Sequence, residues 1–216
     1  AECTFTNHAF DSLIPALKFK KYDAVISGMD ITPERSKQVA FTQPYYANSA
    51  LVIAKKDTYK TFADLKGKRV GLNKGSDVNY LLVAALEKAG LSYKDITPVY
   101  LPPADARAAF QRGAIDAWVI WDPYLAEVET NARARQLRNA EGLVPHYTFY
   151  LASRKFAENY PETAKQVVDE LRQLSDWANA HQDDAAGILS TSTGLDKAIW
   201  LKALARLPYG AERMTP

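Results

Sequence analysis

The segment SGMDITPER, at positions 27–35, has residue types suited to binding a small anion. Thr32 and Pro33 are typical of a helix start, because a threonine oxygen can cap the first turn and proline fits the first helical position. Arg35 would lie one turn inside that helix, where its guanidinium can hold a carboxylate through two hydrogen bonds. A capped helix with a surface arginine explains the same spacing equally well.

Such a helix start needs a strand that leads into it. Residues 22–27 form a short apolar run that predicts a strand with Ser27 and Gly28 at its carboxyl end. A helix predicted over 11–20 and a weakly alternating strand over 1–6 would complete a βαβ unit. Ligands bind at the carboxyl ends of strands in such units.

The pattern of strands and helices then starts again. Strands are predicted over 69–72, 96–101 and 115–120, and helices over 78–88 and 104–112 alternate with them. This alternation indicates a second α/β lobe.

The remaining elements connect the two lobes. The apolar run 49–55 predicts a crossing strand, and the polar stretch 57–68 predicts a linking helix. Residues 148–152 predict a strand that returns to the first lobe. The helix predicted over 161–181 has an apolar face at three-and-four spacing that we expect to be packed, and a second such helix is predicted over 196–207.

Two places in the second lobe are candidates for ligand contact. Gly75 and Ser76 precede a helix start, where free N–H groups favour an anion, although simple capping by Ser76 or Asp77 is an equal alternative. Trp121 and Asp122 end a predicted strand. Because side chains alternate along a strand, Trp118 and Trp121 should face opposite ways, one into the core and one into a cleft. A helix cap is at least as good an interpretation of Asp122.

Composition excludes several classes of function. The 27 basic and 25 acidic residues give a formal net charge of +2 without a basic block, so nucleic acid is not an expected partner. No apolar run approaches the roughly 18 residues of a membrane helix. Cys3 is the only cysteine, and the spacing of His8, His146 and His181 suggests neither a metal site nor an activated nucleophile. We therefore expect no metal, no cofactor and no catalysed reaction.

The first third of the chain resembles the arginine-binding proteins of polar amino acid ABC transporters. The motifs FDSLIPALK, YDAVISGMDITPER, FTQPYY and DLKGKRVG carry this resemblance. It implies that the arginine of the ITPER motif holds a ligand carboxylate and that oxygens near the SGM turn hold its ammonium. The positions implicated are Phe10, which would pack on the ligand side chain, with Ser27, Gly28, Asp30, Thr32 and Arg35.

From position 73 onward the chain resembles a different family, the aliphatic sulfonate-binding proteins. The motifs are KGSDVNYLLVAALEKAGL, VYLPPADARAAFQRGAIDAWVIWDPYLAEVE and TFYLASRKF. The abrupt change predicts a chimera of 1–72 and 73–216, and one natural protein intermediate between the families is the alternative. Asp122 resembles the acid that holds the ammonium in amino acid binders, but it lies one residue later than that pattern requires.

Together these resemblances imply a two-lobe periplasmic binding protein fold of class II type, with domains at 1–54, 55–146 and 147–216. In that family a cysteine placed like Cys3 commonly pairs with one upstream, which predicts that the first strand-helix unit is missing. The implied function is to enclose a small anion or zwitterion, such as arginine or an aliphatic sulfonate, for an ABC transporter permease in the periplasm.

Three other possibilities accompany this expectation. The chain could be an engineered scaffold without a working ligand, because half-sites from two families need not agree in geometry. It could be an enzyme on the same fold, similar to a dehydratase or a thiamin-precursor synthase. An unfilled strand position in the first lobe would also allow self-association.

Overall fold

The computed structural model describes residues 4–29, 31–47, 50–131, 134–144 and 147–207, with the backbone alone at 43–47 and 147. The strands are, in chain order, β1 (Ala24–Met29), β2 (Ala40–Ala47), β3 (Ala50–Lys55), β4 (Arg69–Leu72), β5 (Thr97–Tyr100), β6 (Ala117–Trp121), β7 (Ala134–Asn139) and β8 (Tyr147–Ala152). The helices are α1 (Leu13–Lys18), α2 (Pro33–Ser36), α3 (Asp77–Lys88), α4 (Pro103–Arg112), α5 (Tyr124–Asn131), α6 (Arg154–Asn159), α7 (Pro161–Ala180), α8 (Gln182–Thr193) and α9 (Lys197–Leu204). Short 3-10 turns occupy Phe10–Ser12, Phe62–Leu65 and Tyr93–Asp95.

The first lobe is built on a three-stranded sheet in the order β1-β8-β2, in which both pairs are antiparallel. Helix α1 covers one face of it. Ile14 and Leu17 from α1 pack with Val25 and Met29 from β1 and with Leu151 from β8. The central strand of this lobe therefore comes from a part of the chain far from the other two strands.

The second lobe is built on a five-stranded sheet in the order β5-β4-β6-β3-β7. The pairs β4-β5 and β4-β6 are parallel, while β3 is antiparallel to both β6 and β7. Helix α3 packs on one face of the sheet and helices α4 and α5 on the other. The chain passes between the two sheets twice, from β2 to β3 and from β7 to β8, as expected of a two-lobe α/β binding protein.

Successive side chains of β6 point to opposite faces of the sheet and pack in the two apolar clusters of the second lobe. Val119 packs in the apolar cluster beneath α3, whereas Trp118 and Ile120 pack in the opposite cluster with Phe110. Trp118 is fully buried. Trp121 is half-buried at the end of the strand and packs against both clusters, so the predicted opposition of the two tryptophans remains a prediction.

The carboxyl-terminal helices pack mainly on the second lobe. Ile199, Trp200 and Ala203 from α9 form an apolar cluster with Ala186 from α8 and Ala126 from α5. The predicted domain limits remain a prediction.

Three predictions from the sequence fail among the described residues. Residues 4–6 are not in a strand, and β1 pairs with β8 in an antiparallel sense, so the parallel βαβ unit does not form among the described residues. The linking helix over 57–68 is reduced to the turn Phe62–Leu65, which Thr61 and Asp64 close as a capping box. The apolar face of α7 is largely unpacked in the described part of the chain, where Val167 is 47% and Leu174 59% exposed.

None of the described helices combines the length and the apolar character required to cross a bilayer.

Gly71 in β4 offers a test of the packing in the second lobe. Alanine at this position should destabilise the protein by about 1 to 3 kcal/mol, because its Cβ would collide with the buried Cδ1 of Ile115. Gly187→Ala in α8 is the control, since no atom lies within 4 Å of the added Cβ. It should raise stability by up to about 1 kcal/mol, because alanine favours helix. Urea unfolding measures both, and effects of the same sign would contradict this explanation.

Candidate ligand-binding site between the lobes

Arg35 is positioned by a local cap. The Thr32 side-chain oxygen accepts a hydrogen bond from the Arg35 backbone N–H at 3.2 Å, and Pro33 occupies the first position of α2. This confirms the predicted helix start. The cap fixes where the arginine leaves the backbone, because its own N–H group is the one that is held.

The Arg35 guanidinium connects the two lobes. Its Nη2 donates a hydrogen bond of 2.7 Å to the backbone carbonyl oxygen of Gly75, which precedes α3 in the second lobe. Its Cζ lies 5.8 Å from the centroid of the Phe10 ring, within the range of a cation–π interaction. Three predicted site residues, distant in sequence, therefore meet at one place.

The turn before α3 presents backbone groups to this place. Gly75 has φ +72°, a left-handed conformation that favours glycine, and no atom lies within 4 Å of where a Cβ would be. The buried Ser76 turns its hydroxyl back into the loop, where it donates to the carbonyl oxygen of Asn73 at 2.8 Å. Ser76 stands at the N-cap position of α3 but makes no side-chain cap bond. Its predicted capping role is therefore not observed.

Next to this turn lie a lysine and two tyrosines that contact one another. The Lys74 ammonium lies 5.4 Å from the centroid of the Tyr100 ring, and the Tyr100 hydroxyl is 3.1 Å from that of Tyr93. Burial, together with the hydrogen bond to Tyr100, raises the pKa of Tyr93, so its phenol stays protonated near neutral pH. Lys74 is thus oriented by a ring instead of merely solvated. Neither tyrosine was predicted to lie here, because Tyr93 belongs to a 3-10 turn and Tyr100 to β5, both distant from the turn in sequence.

The other first-lobe candidates lie where β1 ends. Ser27 and Gly28 are half-buried, and a Cβ on Gly28 would lie 3.5 Å from the Cγ2 of Thr148, an ordinary contact. Glycine is therefore not required there by space. Asp30 lies outside the described residues. Thr148 is buried and could not have been found from local sequence, since β8 brings it to this edge.

Asp122 is engaged in structural contacts. Its Oδ1 accepts hydrogen bonds from the Ala126 backbone N–H at 3.1 Å and from Nη2 of Arg206 at 3.0 Å, and the residue is 5% exposed. Arg206 also donates to Glu129 at 2.8 Å. These contacts support the helix-cap interpretation and tie the start of α5 to the end of α9. They do not join Asp122 to the group around Arg35.

The chemistry of this site is recognition by hydrogen bonds and charge. The Arg35 guanidinium contacts the turn that precedes the twelve-residue helix α3, and a guanidinium and the amino end of a helix each favour an anion. Across the described residues, no group of three or more His, Cys, Asp or Glu side chains could hold a metal ion.

Two α/β lobes whose sheets are joined by the β2–β3 and β7–β8 connections, with an arginine of one lobe hydrogen-bonded to the other, define a two-lobe solute-binding protein. The chain belongs to the bacterial extracellular solute-binding proteins, family 3, whose sequence pattern matches residues 1–182.

The relatives are of two kinds. The chain is 86% identical over 76 residues to ABC transporter arginine-binding protein 1 of Escherichia coli K12, covering 35% of this chain and 31% of the relative. It is 39% identical over 145 residues to a putative aliphatic sulfonates-binding protein of the same organism, covering 67% and 46%. Each of these relatives carries the name of a binding protein. The mixed resemblance is confirmed, while the chimera remains a prediction.

A solved structure shows the same fold. The alkanesulfonate-binding protein SsuA from Xanthomonas axonopodis pv. citri, bound to MOPS, superimposes with a TM-score of 0.83 at 34% identity. The alignment covers 94% of this chain and 73% of that one. The chain spans 31% and 46% of the length of the two curated relatives described above.

The contacts of Asp122 predict a structural role. Asp122→Asn should lower the free energy of unfolding by roughly 1 to 3 kcal/mol, because it weakens a buried ion pair with Arg206. The dissociation constant of a cleft ligand should remain nearly unchanged. Lys202→Ala, which removes an exposed partner of Glu129, is the control and should cost less than about 1 kcal/mol. Urea unfolding measures the stability, and calorimetric titration measures the dissociation constant of the ligand. A large loss of ligand affinity at unchanged stability would instead make Asp122 a ligand contact.

Proposed function

We propose that this chain is the solute-binding component of an ABC importer, acts in the periplasm, and encloses a small anion between its lobes for delivery to a permease. The observation that supports this most directly is the position of Arg35, which reaches from α2 of the first lobe to Gly75 of the second and lies against Phe10. The names of the relatives agree with this role.

Arg35 couples ligand binding to lobe closure in this proposal. A guanidinium carries five N–H donors, so a hydrogen bond to Gly75 is compatible with holding an anion at the same time. An anion that contacts both Arg35 and the N–H groups at the start of α3 binds better to closed lobes than to open ones. Such a difference in affinity is what shifts the population toward closure.

We further propose that the preferred ligand is a simple anion, such as a short sulfonate, and not free arginine. An amino acid also requires a partner for its ammonium, and Asp122 is already engaged with Ala126 and Arg206. Burying an unpaired ammonium costs several kcal/mol, enough to abolish micromolar binding. A simple sulfonate, which carries no ammonium, makes no such demand.

A ligand panel tests this proposal. Short alkanesulfonates and MOPS should raise the melting temperature, since a ligand at a hundred times its dissociation constant stabilises by about 2.7 kcal/mol. Arginine should bind more weakly than about 1 mM. Arg35→Ala should weaken sulfonate binding on the order of 100-fold by calorimetry, because it removes charge-assisted hydrogen bonds.

Lys37→Ala is the matched control for Arg35, since Lys37 is an exposed cation at the end of the same helix α2. It should leave binding unchanged. Micromolar affinity for arginine would refute the proposed selectivity, and sulfonate binding that survives Arg35→Ala would refute the role of Arg35. Binding of no compound would favour a scaffold without a working ligand. Mass spectrometry of the incubated ligands should show no turnover, as expected for binding without catalysis.

We also propose self-association through the first lobe. Among the described strands, β1 lies at the edge of its sheet, and Ile26 on it is 56% exposed. An unpaired strand edge with an apolar side chain is a surface for adding another strand. Sedimentation velocity should show a concentration-dependent dimer that Ile26→Lys weakens. A monomer at all concentrations would contradict this.

A further inference from the structure

A second cavity lies at the end of the first lobe opposite the candidate site. It has a volume of about 370 Å³ and opens where β1 begins and β8 ends. Ala24 and Ala40, which begin β1 and β2, both pair with Ala152 at the end of β8, so this edge of the sheet is well defined. Gly28 is four residues further along β1, more than about 10 Å away at the usual rise of a strand.

Cationic side chains dominate the rim of this cavity. Lys18, Lys20, Arg154 and Lys155 line it, against the single carboxylate of Asp23. Lys18 donates to the side chain of Gln38 at 3.3 Å. Within the part of the chain that the structure describes, none of the other three cations forms an ion pair. All three line the same opening.

The wall of the cavity is apolar and aromatic. Leu17 and Val39 contribute buried aliphatic surface, and the rings of Phe156 and Tyr160 lie side by side with centroids 5.8 Å apart. Tyr160 is 59% exposed, which leaves its ring available to a ligand. An apolar wall beneath a cationic rim suits a molecule with a flat or aliphatic body and one anionic group.

We propose that this cavity is an accessory binding site for small amphipathic organic anions, such as aryl sulfonates or aryl carboxylates. Arg154 and Lys155 bind the anionic group, and the Phe156 and Tyr160 rings contact the apolar body. The cavity shares no lining residue with the group around Arg35, although Gln38 and Val39 of its lining donate backbone hydrogen bonds to the Arg35 carbonyl oxygen.

Titration with 2-naphthalenesulfonate, followed by amide chemical shifts, tests this proposal. Shift changes should concentrate at Lys155, Phe156 and Asn159 and should persist in the Arg35→Ala variant. The uncharged isostere naphthalene-2-sulfonamide should bind at least tenfold more weakly. Changes confined to the residues around Gly75, or equal binding of the uncharged compound, would overturn the proposal.

Charge reversal at the rim gives a second readout. Arg154→Glu combined with Lys155→Glu should reduce affinity at least tenfold, and acidic residues in the first turn of α6 are compatible with the helix. Lys56→Glu combined with Lys60→Glu changes the net charge equally at exposed positions outside the cavity, and should change affinity less than twofold. Tyr160→Ala should weaken binding without altering the melting temperature. Equal losses in the two double variants would show a general charge effect and refute the site.

Discussion

The position of β8 between β1 and β2 is the constraint on which the first lobe depends. Its hydrogen bonds hold both neighbours in antiparallel register, and its Phe149 and Leu151 side chains complete the core beneath α1. One end of β8 places Thr148 against Gly28 at the edge near the second lobe. The other end leads directly into α6, which closes the accessory cavity. The geometry of both candidate sites thus follows from a single long-range pairing.

The hydrogen bond between the lobes has a charged donor, but its net contribution to the free energy is modest. The hydrogen bond from Arg35 to Gly75 lies at an exposed position, where such a bond contributes only on the order of 1 kcal/mol. A contact of this size orients the guanidinium without locking the lobes together. Closure can then be governed by a ligand, because a few kcal/mol of differential affinity is enough to reverse a two-state equilibrium.

The two halves of the site make different contributions. The first lobe contributes a compact group of three residues, Phe10, Thr32 and Arg35. The Thr32 helix cap and the contact between the Arg35 guanidinium and the Phe10 ring set the geometry of this group. The second lobe offers the amino end of α3 and the Lys74 ammonium, while its candidate acid Asp122 is used to fasten α5 to Arg206. A site with donors on both sides and its acid committed elsewhere is better suited to an anion than to a zwitterion.

Local patterns in the sequence by themselves determined much of this protein. Side-chain alternation predicted that Trp118 and Ile120 pack on one face of β6 and Val119 on the other, and the order of Thr32 and Pro33 predicted the start of α2, because both depend on near neighbours. The tertiary structure alone decided that β1 pairs with β8, that Asp122 meets Arg206 across 84 residues, and that the apolar face of α7 is mostly uncovered among the described residues. Periodicity shows which side chains share a face, but it does not specify which distant element will cover that face. Strand pairing and burial depend on contacts between residues that are far apart in sequence. The entropy of closing the intervening loops and the competition between possible partners leave no local signal in the sequence.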